Sequence, residues 1–189
     1  MGKRTLMLMF LLIMPITSSS ASDFTEGYQN AKWGMSLEQV KAAFPNMDFK
    51  TDSDGTPFFL STISGENVQI GFQFVERKLY QTGVLIQIKT TNKKTYISKF
   101  DEFESLLKKK YGEPKQKARK GSDNQFIDDA TAISTGEGAY FSEWDTPESI
   151  IQLVLFGDNF TLGLMIRYEC KALAVIAKKL NEEKAVKQL

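Results

Sequence analysis

Hydrophobic and polar residues alternate from Val68 to Phe74: Val68, Ile70, Phe72 and Phe74 are interleaved with Gln69, Gly71 and Gln73. A period of two marks a strand with one buried face. The pattern breaks at Glu76-Arg77-Lys78 and resumes with Val84, Ile86 and Ile88, which predicts a β-hairpin over 68–88. The same shape returns later. Ile151, Leu153 and Leu155 lead to a break at Gly157-Asp158-Asn159, followed by Phe160, Leu162, Leu164 and Ile166. Phe58–Ile63 and Ala139–Trp144 read as the strands before each hairpin, with turns at Ser64–Asn67 and Asp145–Glu148.

Each set of strands follows a helical pattern. Ser36 is placed as an N-cap with Gln39 completing a capping box, and Leu37, Val40, Ala43 and Phe44 share one face until Pro45 stops the helix. In the second half, Ser98 is the expected cap, after a polar link at Thr91–Thr95. Phe100, Phe103, Leu107 and Tyr111 form the apolar stripe. Lys108, Lys109 and Lys110 then crowd the last turn, where the helix dipole favours cations, and Gly112 and Pro114 end it. A last amphipathic helix starts near Lys171 with Leu173, Ile176, Ala177 and Leu180 on its stripe, and the charged tail from Asn181 is expected to fray.

Residues 115–138 lack clear periodicity. They open basic at Lys115, Lys117, Arg119 and Lys120 and turn acidic at Asp128 and Asp129. The segment reads as a mobile flap or an ordered binding loop, with a strand around Phe126-Ile127 as the third alternative. No core residues are assigned to it, so deletion of 117–136 is expected to spare the fold. Asp52-Ser53-Asp54-Gly55 reads as a turn rather than a calcium loop, because the remaining ligands of an EF-hand are missing.

The amino terminus carries the features of a signal peptide: Lys3 and Arg4, an apolar run from Leu6 to Ile16, and small residues ending at Ala21. The expectation is a periplasmic protein cleaved near Ala21, without stable membrane insertion afterwards. Cleavage lowers Lys+Arg from 24 to 22 against 23 acidic residues, a net charge of −1. That balance gives no electrostatic reason for nucleic acid as a partner. The single cysteine, Cys170, has no intramolecular disulfide partner.

The chain contains no histidine, which removes the commonest general base and zinc ligand. No metal, cofactor or catalytic residue is expected. The remaining acid pairs, Glu143 with Asp145 and Asp128 with Asp129, read as ordinary surface carboxylates. The aromatic residues are more informative. If helices cover one face of the sheet, Phe59, Tyr80, Tyr140 or Trp144 stand on the open one, where they suit a protein partner or an apolar ligand. Together with Lys117, Arg119 and Lys120 they are the candidate partner-binding residues.

Trp33-Gly34-Met35-Ser36-Leu37-Glu38-Gln39-Val40 resembles the helix start of small bacterial envelope domains, including the outer-membrane lipoprotein BamE and its SmpA-like relatives. Leu107 to Pro114 looks like the helix end of the same group. The tandem plan is similar to that of the secreted β-lactamase-inhibitor protein, which binds its target across a concave sheet. The W-G-M-S start also resembles that of many secreted bacterial proteins. No cysteine for lipid attachment follows the apolar run. The expected fold is α+β: two tandem α-βββ units, 22–92 and 93–189, in one compact domain. Their antiparallel sheet has helices packed on one face, plus a C-terminal helix. The expected function is a non-enzymatic periplasmic interaction module for an envelope protein. The alternative is a carrier of a small apolar ligand held between helices and sheet, and a third reading is an enzyme using carboxylate or lysine chemistry.

Overall fold

The computed structural model describes residues 24–122, 124 and 126–188; the expected signal peptide lies outside them. The described chain opens with a small hairpin, β1 (Gly27–Tyr28) and β2 (Ala31–Lys32), and then enters α1 (Leu37–Ala43). The capping box forms as its residues dictate: the Ser36 hydroxyl accepts from the Gln39 N–H, and the Gln39 side chain accepts from the Ser36 N–H at 2.8 Å. Four strands follow: β3 (Lys50–Thr51), β4 (Pro57–Ile63), β5 (Glu66–Val75) and β6 (Lys78–Gln87). Then come α2 (Lys94–Tyr111), β7 (Gln116–Lys120) and α3 (Asp129–Ser134). The chain ends with β8 (Ala139–Asp145), β9 (Ser149–Asp158), β10 (Thr161–Cys170) and α4 (Lys171–Val186).

The fold is mixed α+β. Among the described residues, four helices accompany an antiparallel sheet of eight strands in the order β3-β4-β5-β6-β10-β9-β8-β7. Both long hairpins form where alternation places them, but their turns are shorter than the polar breaks. Glu76 and Arg77 have φ of 48° and 63°, and Asn159 and Phe160 have 47° and 64°. Two-residue hairpins need this left-handed geometry to match strand twist. Here it is met without glycine, at a cost of about 1–2 kcal/mol per residue.

Several elements depart from the sequence expectation. α2 starts one turn before Ser98, because the Asn92 carboxamide accepts the Lys94 N–H at 3.1 Å and opens the helix there. α4 runs on to Val186, through the tail expected to fray. The largest correction concerns 115–138. β7 pairs with β8 along its length, and α3 is capped by Asp128 and buries Ala130, Ala132 and Ile133. Neither shows in the hydrophobic pattern, because β7 is polar except at Ala118 and α3 is shorter than two turns. With β7 beside β8 and the two-residue β3 beside β4, each half of the sheet has four strands rather than three.

α3 sits tightly on β9. A Cβ added at Gly157 would lie 2.2 Å from the Ile133 carbonyl oxygen, a backbone atom with no freedom to yield. Gly157→Ala is expected to lower the melting temperature by several degrees, read by circular dichroism. Ile133→Ala should cost about 2–4 kcal/mol in urea unfolding. Deletion of 117–136 should prevent cooperative folding, and a deletion variant with a sharp native-like melt would show that β7 and α3 are dispensable.

Candidate functional site

Residues directly opposite each other in adjacent strands share a face of the sheet. Phe59, Ile70, Val84, Ile166, Leu153 and Ser142 form one such row, and all are buried. This side is covered. The rings of Phe44 and Phe49 lie 5.2 Å from that of Phe59, and Phe100 of α2 meets Tyr140 edge-on at 5.6 Å.

The next row belongs to the other side: Leu60, Gln69, Leu85, Met165, Val154, Phe141 and Ala118. Leu60 is 52% exposed and Leu85 38%. Phe156, 41% exposed, lies beside this row on the same side, and its ring covers Gly163, where an added Cβ would fall 2.5 Å from it. The adjoining row runs Phe58, Gly71, Gly83, Arg167, Gln152 and Glu143. Its polar members satisfy one another: Arg167 donates to the Gln152 carbonyl, and Gln152 donates to Glu143 at 2.6 Å. α4 leans over one end of this face. Tyr80, Gln81 and Glu169 line a groove with Ala174, Lys178 and Asn181, of about 630 Å³ and open to solvent.

The candidate residues fall on both sides. Phe59, Tyr140 and Trp144 are 1%, 5% and 2% exposed, and belong to the covered side. The Trp144 indole donates to the Gly112 carbonyl at 2.8 Å, and the Tyr140 hydroxyl donates to Asp129, which ties α3 to β8. Burial first, and then Asp129, push the Tyr140 phenol up to about 12. The expectation that these three face outward is corrected. Their neighbours Phe58 and Phe141 hold the open side. Tyr80 is the extra residue of a bulge opposite Gln73–Phe74, and its hydroxyl donates to Gln73 at 3.0 Å on the open side. Lys120 is exposed there too.

Lys117 and Arg119 point to the covered side. Arg119 donates to Asp101 at 2.6 Å and Glu104 at 3.3 Å, and stacks 5.0 Å from the Tyr140 ring and 5.3 Å from Phe100. Glu104 is buried and also accepts from the Ser142 hydroxyl at 2.5 Å. Lys115 and Lys171 clamp Asp145 and hold its carboxyl down at about 2. The acid pairs are thus spent on structure: Asp128 caps α3, and Glu143 takes the Gln152 amide. Among the described residues, no cluster of acids and cysteine is arranged to hold a metal ion, and no helix is long and apolar enough to cross a membrane.

No protein family matches the chain, and neither a curated protein nor a solved structure is significantly similar to it. The open-side residues had one legible signal. Gln69, Gly71 and Gln73 mark the solvent side of β5, and register carries that side to Phe58 and Leu60 on β4.

Burial by itself would raise the Glu104 carboxyl. The Ser142 hydroxyl, and then Lys117, Lys108 and Arg119, outweigh burial and hold it below the ordinary range. A depressed carboxyl stabilises the fold above its unfolded pKa, and that stabilisation is lost as pH falls through the folded value. Glu104→Gln should cost about 1–3 kcal/mol at neutral pH. It should also flatten the decline of stability below about pH 4.5, where an ordinary glutamate titrates. Urea unfolding at pH 7 and pH 3 reads both effects, and an unchanged acid limb in the variant would assign it to other carboxylates.

Proposed function

We propose that the protein is a non-enzymatic binding module of the bacterial periplasm. It holds a protein partner on the open sheet face, with the neighbouring 115–138 segment at its rim. The observation that carries this reading is the row from Leu60 to Ala118: apolar at most positions, crossing seven strands and uncovered by α1 or α2. Eight strands about 4.8 Å apart and up to about 30 Å long offer more than the roughly 800 Å² that each side of a stable complex buries. A polar stripe with satisfied hydrogen bonds beside an apolar one is the composition of such interfaces. The partner that fits is a protein with a convex apolar patch.

The order of strands supports reading the chain as two copies of one unit. β3 to β6 and β7 to β10 run outward from the β6–β10 seam in matching sequence. The basic, apolar and small residues before Ser22 support export, and the W-G-M-S resemblance suits an envelope partner. The carrier alternative has less support. Phe44, Phe49, Phe59 and Phe72 interlock between α1 and the sheet at 5.2–5.9 Å, which fills that space with side chains.

Leu60→Glu with Leu85→Glu changes two exposed positions of the open face, so the melt should stay close to that of the parent. Native mass spectrometry of both proteins, taken gently from the periplasm of the host, tests the reading. The expected result is an added protein mass on the parent and its loss from the variant. A partner retained by the variant, or a small-molecule adduct in its place, would overturn the open-face reading.

A further inference from the structure

β7 ends the sheet on one side, and all five of its residues are exposed. The opposite edge, β3, is only two residues long. A terminal strand presents unpaired N–H and C=O groups to any chain that can lie beside it. β7 carries Lys117, Arg119 and Lys120 and no acid; Lys115 just before it is held by Asp145, and Lys117 also meets Glu113 at 3.6 Å. Two copies of this chain brought together at β7 would set these cations against one another, and like charges facing across a ladder are destabilising. The same charges attract a strand of opposite sign, so the edge repels itself and admits an acidic partner.

We infer that β7 is the docking edge for an extended, acidic segment of the partner protein, added to the sheet as a further strand. This rests on the binding-module reading and names the chemistry of the partner. Register sets the pattern. Lys117 and Arg119 stand on the covered side, and Ala118 stands on the open side next to Phe141. The incoming strand therefore alternates acids on the covered side with an apolar residue that reaches Phe141 past the small Ala118. The side chains of Lys117 and Arg119 remain 42% and 41% exposed while they contact Glu104. Arg119 engages Asp101 and Glu104 through a single nitrogen, Nη2, and leaves the other guanidinium donors for a carboxylate.

The test is fluorescence anisotropy on the full folded protein with a labelled short peptide of alternating glutamate and valine. Its lysine–valine counterpart is the control. The glutamate peptide should bind, and weaken as salt rises from about 50 to 200 mM. It should lose about tenfold in affinity when alternate amides on one edge are N-methylated. Lys117→Gln should weaken it as well. Absence of binding, equal binding by the lysine peptide, or indifference to N-methylation at both edges of the peptide would overturn the inference. A dimer in ultracentrifugation that the peptide dissolves would also overturn it, in favour of a second copy. Binding should survive Leu60→Glu with Leu85→Glu, which lie strands away from β7. Its loss there would move the peptide to the open face, ending the edge inference while sparing the face. A peptide held at the edge alongside a partner indifferent to those leucines would do the reverse.

Discussion

The pairing of β6 with β10 is the constraint on which the rest of the structure depends. The two strands lie far apart in the chain and no turn brings them together. Yet Ile86, Val84 and Thr82 stand opposite Leu164, Ile166 and Tyr168 in continuous register. This seam turns two four-stranded halves into one sheet, and it sets the parity of every row. A slip by one residue would send Leu164 and Ile166 to solvent and turn Arg167 and Met165 inward. Burying an unpaired guanidinium costs far more than a misplaced methylene, so the register is specified by what must stay out as much as by what goes in. One imperfection sits at the seam: the Thr82 hydroxyl, buried between Phe72 and Tyr168, has no hydrogen-bond partner among the described residues.

The elements with a strong period were legible in the sequence, and the faces were less so. Phe58 and Phe59 are both aromatic, as are Tyr140 and Phe141, so an isolated strand gives no parity. In β8 the alternation misleads. Ser142 shares a face with Tyr140 and Trp144, and its hydroxyl suggests an outward side. It is buried because Glu104 of α2 comes to meet it. A polar pair satisfied across two distant elements leaves no local trace. β7 is hidden for the same reason, since Arg119 and Lys117 hold it in place through carboxylates and rings rather than through apolar burial.

The Trp33-Gly34-Met35-Ser36 stretch carried the resemblance to envelope domains, and the structure shows what these residues do. Gly34 donates to the Leu79 carbonyl and Leu79 donates to that of Met35, each at 2.8 Å, so the entry to α1 is stitched to β6. The buried Trp33 indole donates to Ser149 at 2.9 Å, and Ser149 donates to Glu26 at 2.6 Å. Residues at the start of the described chain are thereby fastened to the first residue of β9. The motif joins the two halves, which is a task of assembly. Its presence in a sequence is informative about architecture and silent about chemistry.

The open face is left toward water by α1 and α2, with α4 leaning over one end of it. An apolar surface of that size favours aggregation unless it is divided. Arg167, Gln152 and Glu143 divide it, and their hydrogen bonds are made within the chain. A partner that lies across the stripe strips water from groups that are already paired, and an unpaired buried polar group is the costlier case. Met165, with its unbranched and adaptable side chain, sits next to this stripe and can fit more than one contour. Polar groups already paired within the chain therefore keep the penalty of covering this face low.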